Sequence, residues 1–152
     1  MKLSHDELKG LMKNKLMKAG LNEDHADIAA EVMTWSDERG YHSHGAVRVE
    51  YYAERIAKGG ITADPKFEWK ETGPCSGVFE GDNGCGYAVA KYGMDKAIEM
   101  AKKNGIAVVG MRNMSHSGSI GYYTEMAAEQ GLLAISFCQS DPMAVPVGGT
   151  EP

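Results

Sequence analysis

Residues 104–138 read N-G-I-A-V-V-G-M-R-N-M-S-H-S-G-S-I-G-Y-Y-T-E-M-A-A-E-Q-G-L-L-A-I-S-F-C. The run Ile106–Met111 is short, apolar and uncharged, the pattern of a strand covered on both faces. Asn104-Gly105 closes the element before it. A helix opens at Ser117–Ile120 and runs through Tyr123, Met126 and Ala127 to Gln130, where Gly131 supplies the stop. Leu132–Cys138 is a second apolar run and predicts a second buried strand. This strand–helix–strand order predicts an α/β fold.

Toward the N-terminus, Val89, Tyr92, Gly93, Ala97, Met100 and Ala101 mark a helix over about Tyr87–Lys103, with Lys102 and Lys103 at its negative end. The loop Gly81–Gly86 before it is rich in turn residues. Lys66–Thr72 and Cys75–Glu80 predict an antiparallel strand pair around the break Gly73-Pro74. The first 60 or so residues predict three helices. Ser4-His5-Asp6-Glu7 is a capping box, followed by Leu8, Leu11, Met12, Leu16 and Ala19 on one face. Asn22 caps a second helix with Ile28, Ala29, Val32, Met33 and Trp35 on its apolar side. A third runs near His44–Ala57 and ends at Gly59-Gly60. Residues 140–152 read as loop. Two regions are expected: a helical segment over 1–62 and an α/β region over 63–152.

The 152 residues carry 16 basic and 21 acidic side chains, a net charge of −5. No basic excess exists to displace counterions from phosphates, so nucleic acid is not the expected partner. No stretch approaches 18 consecutive apolar residues, and His5, Asp6 and Glu7 stand where a signal peptide needs an apolar run, so no membrane association is expected. Cys75, Cys85 and Cys138 are odd in number and form no CxxC pair. A reducing, cytoplasmic setting without structural zinc is expected. Glycine is abundant, 19 of 152 against an average of about 7%, which points to many tight loops.

Four constellations could carry chemistry. His44, Arg48 and Tyr52 are spaced i, i+4, i+8, so one helix would place them on one face. An imidazole, a guanidinium fork and a phenol in line suit a carboxylate; a solvated helix face is the plainer alternative. His116 stands in the Ser/Gly-rich loop Ser115–Gly118, after a buried strand, where α/β sheets bind ligands and where an imidazole can take or give a proton; a loop histidine bonded to backbone is its alternative. Gly84-Cys85-Gly86 begins like a dinucleotide fingerprint, but Val89 stands at the third glycine, so a loop feeding a helix is the better reading. Gln139–Met143 is a polar loop without a local triad.

Taken together, Ser43-His44-Gly45 with Arg48 and Tyr52, Gly59-Gly60, Asn104–Val109, Ser115–Gly118, and Pro146 with Gly148-Gly149 resemble the malate/L-lactate dehydrogenase type 2 family. This family binds NAD(P) without the ordinary Rossmann fingerprint, and its members are more than roughly twice this length. The resemblance therefore implies the N-terminal portion of a non-Rossmann α/β dehydrogenase, with an incomplete sheet domain and the main cofactor-binding segments elsewhere. His42–Ile56, Glu71–Ser76 and Cys138–Met143 resemble one branch, which implies NAD-dependent oxidation of (S)-ureidoglycolate to oxalurate in allantoin breakdown. NADP in place of NAD, a sibling activity on malate, lactate or a sugar acid, and a non-catalytic fragment that only dimerises or binds a small acid stay open. By the same resemblance His116 is the base for the hydroxyl proton and Arg48 the cation for the carboxylate. His44 and Tyr52 orient the substrate, Asp141 lines the substrate side and Ser140 the cofactor side. A homo-oligomer, a dimer, is expected.

Overall fold

The computed structural model of the chain describes residues 3–139, 145 and 147–150. Helix α1 (His5–Lys18) begins at Ser4, whose hydroxyl accepts the Glu7 N–H at 3.3 Å while the Glu7 carboxylate accepts the Ser4 N–H at 2.8 Å. Helix α2 (Glu23–Glu38) begins at Asn22, whose side-chain oxygen accepts the His25 N–H at 2.9 Å. Met12 and Leu16 of α1 bury against the small and branched face Ala26, Ala29, Ala30, Val32 and Met33 of α2. Leu11, expected on that apolar face, is instead exposed.

The third helix differs from its expected form. His42–His44 and Ala46–Arg48 are separate 3₁₀ turns, and only Val49–Ala57 is α-helical (α3). The cause is Gly45 and Asp37. A Cβ on Gly45 would lie 2.1 Å from the Asp37 carboxylate. That carboxylate accepts the Ala46 N–H at 2.7 Å and meets His42 Nδ1 at 2.8 Å. The last turn of α2 thus bends the following loop around itself. His44, Arg48 and Tyr52 do not share one helix face.

Strands β1 (Glu68–Gly73) and β2 (Ser76–Gly84) pair antiparallel, with Trp69 opposite Phe79. Helix α4 (Gly86–Asn104) carries the chain across to β3 (Val108–Met114), which lies parallel to β2 with Met111 beside Phe79. The order is β1-β2-β3. Helix α5 (Gly121–Ala128) follows, shorter than expected because Ser115–Ile120 is irregular loop and turn. One core joins these parts: Leu16, Met33, Tyr52, Ala88, Tyr87 and Tyr123 belong to a single buried cluster.

The predicted strand over Leu132–Cys138 is not formed. The segment has no regular secondary structure and makes no ladder with β3. Leu132 and Ala134 pack on the core, whereas Leu133, Ile135 and Phe137 face solvent. Ile106 and Val108 are exposed in the same way. Apolar composition predicts burial on both faces; among the described residues only one face is covered, and the side chains alternate accordingly. No described helix is long and apolar enough to cross a membrane.

Candidate functional site

The loop after β3 is fixed from four sides. The Ser115 N–H donates to Gly84 O at 3.0 Å, and the Gly86 N–H returns a bond to Ser115 Oγ at 2.9 Å. The N-terminus of α4 is therefore stitched to the loop. Ser119 Oγ accepts from Ser36 Oγ of α2 at 2.8 Å, and Tyr123 Oη of α5 donates to Ser117 O at 2.6 Å. Gly118 has φ +74°, and a Cβ there would lie 2.3 Å from the Tyr87 ring. Only glycine meets both demands.

His116 projects from this frame toward the turns before α3. Its Nδ1 lies 2.6 Å from Tyr52 Oη and accepts the Gly118 N–H at 3.2 Å. The His44 ring sits 5.6 Å away, centroid to centroid. Ser43 Oγ bonds His44 Nδ1 at 2.9 Å, and Arg48 Nε donates to Ser43 O at 2.7 Å. The outer guanidinium nitrogens of Arg48 pair with no carboxylate among the described residues. Partial burial holds His116 below the ordinary imidazole range, and the neighbouring His44 and Arg48 add to the effect. Burial raises Tyr52 above the ordinary phenol range.

The sequence-predicted residues His44, Arg48, Tyr52 and His116 are thus brought together, though by two loops and one helix rather than by a helix stripe. Tyr52 is only 4% exposed, and its hydroxyl is engaged with His116. Ser140 and Asp141 lie outside the described residues. Sequence reasoning missed Asp37 and Tyr87; the only signal for Asp37 was a carboxylate at a helix C-terminus, where the dipole disfavours it.

Chemically, an imidazole can take or give a proton and a guanidinium fork can hold a carboxylate. The described residues do not fit a dinucleotide at the Gly84–Gly86 turn. The Gly86 amide is spent on Ser115, and the space a Cβ would take is filled by the Ser115 and His116 carbonyls. Burial pushes the Cys85 thiol up to about 11, which leaves it unreactive. No group of three His, Cys, Asp or Glu is placed to hold a metal among the described residues. A separate open groove of about 710 Å³, lined by Trp35, Arg39, Tyr41 and Leu132, lies away from His116.

This arrangement of helices around a three-stranded mixed sheet is that of the N-terminal part of hydroxy-acid dehydrogenases. Malate dehydrogenase from Pyrococcus horikoshii superposes with a TM-score of 0.83 at 37% identity, over 86% of this chain and 38% of that one. Sulfolactate dehydrogenase from Methanocaldococcus jannaschii gives 0.81 at 37%, over 86% and 38%. The chain belongs to the malate/L-lactate dehydrogenase family, which matches residues 3–152. It is 56% identical to the NAD(+) ureidoglycolate dehydrogenase of Escherichia coli O157:H7 over 151 residues, 99% of this chain. It spans 43% of that relative's length.

Proposed function

We propose that this chain carries the substrate- and proton-handling part of a dehydrogenase that oxidises (S)-ureidoglycolate to oxalurate with NAD. One observation carries the reading: His116 and Arg48 converge on one loop cluster, in a chain 56% identical to a ureidoglycolate dehydrogenase. Oxidation removes a hydride from the carbon and a proton from its hydroxyl. His116, its pKa lowered by partial burial and by the neighbouring His44 and Arg48, takes the proton. Arg48 holds the substrate carboxylate through its two outer nitrogens, Nε being committed to Ser43 O. His44 orients the hydroxyl side. Asp141 and Ser140 are assigned the ureido and cofactor sides. A dimer, a cytoplasmic setting and a role in allantoin breakdown belong to the same reading. NADP is the alternative acceptor, and malate is the alternative substrate class.

The test supplies the protein with NAD and (S)-ureidoglycolate, alone and joined to the segment that its relatives carry beyond the matched region. Absorbance at the NADH band reports turnover. The expected result is NADH formation in the joined form, faster with (S)-ureidoglycolate than with malate or the R enantiomer. A folded joined form that produces no NADH, or that prefers malate, overturns the assignment.

A further inference from the structure

We propose that Tyr52 and Tyr87 form a two-position hydroxyl switch that sets which ring nitrogen of His116 carries the proton, with Tyr87 as its buried inner end. The inference rests on the reading of His116 as the group that takes the substrate's hydroxyl proton.

A backbone N–H only donates. The Gly118 N–H reaches His116 Nδ1 at 3.2 Å, so in the resting ring Nδ1 carries the lone pair. Tyr52 Oη, 2.6 Å from the same nitrogen, is then also a donor to it. The neutral ring therefore keeps its proton on Nε2, and a protonated Nε2 cannot take another. To accept the substrate's proton there, His116 must carry a proton on Nδ1 instead. That Nδ1–H has one partner in reach, Tyr52 Oη. Tyr52 must then turn its own hydrogen away from the ring.

Tyr87 is placed to receive it. Its ring stands edge-on to Tyr52 with centroids 5.3 Å apart. Its hydroxyl is buried and makes no hydrogen bond among the described residues. The residue is 1% exposed. The same hydroxyl lies against Gly118, 3.1 Å from where a Cβ would stand. The unpaired phenol thus sits beside both groups that hold His116 Nδ1. A phenylalanine would fill this space without leaving a buried hydroxyl unsatisfied, so packing alone gives no reason for the oxygen.

In the resting position Tyr52 donates to Nδ1 and the Tyr87 hydroxyl stands unpaired. In the working position Nδ1–H donates to Tyr52, and Tyr52 donates to Tyr87. The ring exchanges protons with water, one leaving Nε2 and one arriving at Nδ1, so its charge is unchanged. The substrate's hydroxyl proton then goes to Nε2 and forms the imidazolium. The titratable and charged groups facing His116 are His44, Arg48 and Tyr52; those facing Tyr87 are Tyr52, Tyr123 and Cys85. Burial pushes Tyr87 well above the ordinary phenol range, and Tyr52 beside it adds to the rise. Both phenols keep their protons, so the switch works by hydroxyl rotation.

Tyr52 and Tyr87 are positioning residues, and the test is made on both. Imidazole ¹⁵N spectra of the protein report the His116 tautomer without any turnover. The expected parent spectrum is Nε2–H dominant with a minor Nδ1–H population. Tyr87→Phe removes that minor population, and Tyr52→Phe, which deletes the one acceptor for Nδ1–H while the Gly118 N–H stays, removes it as well. In the joined form, Tyr87→Phe lowers kcat for (S)-ureidoglycolate oxidation about tenfold, a part of what a general base contributes. It leaves KM within about twofold and does not lower the melting temperature. Tyr52→Phe moves the acid limb of the pH profile upward, because a donor to the neutral ring is lost. An Nδ1–H ring at rest, or a Tyr87→Phe variant with parental nitrogen shifts and parental kcat, overturns the proposal. If neither parent nor variants oxidise ureidoglycolate, the functional reading fails and the nitrogen shifts alone decide the switch.

Discussion

Gly86→Ala is the sharpest test of how the His116 loop is held. Gly86 opens α4 with no left-handed φ, so helix propensity alone favours alanine by up to about 1 kcal/mol. Packing opposes it. The new Cβ would lie 1.9 Å from Ser115 O and 2.6 Å from His116 O, both backbone atoms. Real Cβ contacts essentially never fall below 3.0 Å, so the Ser115 carbonyl or the helix start must move by about 1.1 Å. That shift also strains the Gly86 N–H bond to Ser115 Oγ. Overpacking of this kind costs about 1–3 kcal/mol, which outweighs the propensity gain. The expected net loss is about 1–2 kcal/mol, or about 2–8 °C in Tm for a chain of this size. The effect on catalysis is larger, because a 1 Å misplacement of a reacting group costs about 10²-fold. The assay compares kcat and thermal unfolding in the joined form, with Gly10→Ala as control; nothing lies within 4 Å of that position. A Gly86→Ala protein with parental kcat and Tm would refute the claim that the start of α4 positions His116.

His116→Ala should lower kcat by about 10²–10⁴-fold with little change in Tm, read from NADH formation; near-parental turnover with an unchanged pH profile sinks the assignment. Arg48→Lys should not restore substrate binding, because an ammonium cannot supply two parallel hydrogen bonds, and calorimetric titration with ureidoglycolate shows whether it does. His25 is buried against Phe67, and burial holds it below its usual value of 6.5. Its neutral form belongs to the fold, so its contribution to stability is present above pH 6.5 and is lost as pH falls through the depressed value. Tm measured from pH 7 to 5 should fall, and His25→Gln should flatten that fall. Replacing Leu133, Ile135 and Phe137 together by serine should reduce self-association of the chain, measured by light scattering, because these side chains form an uncovered apolar row; a monomeric parent contradicts this.

The elements whose signals are local were legible in the sequence. The Ser4–Glu7 capping box, the Asn22 cap and the Gly105 stop, now seen at φ +84°, each act within one turn of chain. His116 and Arg48 stood out because their residue types sit at a strand end and beside a second histidine. What the sequence did not show depends on remote partners. The helix over His44–Ala57 broke because Asp37, nine residues before Ala46, captures that amide. The Leu132–Cys138 strand had the right composition, but a strand exists only through a neighbour, and composition does not reveal one. In the sequence Tyr87 only marks the start of a helix, since nothing local marks a phenol as lying behind a histidine 29 residues later.

The bonds that fix the His116 loop span long stretches of chain: 83 residues from Ser36 to Ser119, 64 from Tyr52 to His116, and 29 from Gly86 to Ser115. Closing such loops costs entropy that is recovered only when the distant parts have docked. The imidazole cluster is therefore a late event in folding, assembled after α2, α3 and α4 have found one another. Its amides belong to the globally protected set rather than to the fraying loops. In hydrogen exchange, the Gly86 and Ser115 N–H groups should exchange as slowly as the centre of α4. A protease cut anywhere between α2 and β3 would dissolve the site before it disturbed the capped N-terminal helices.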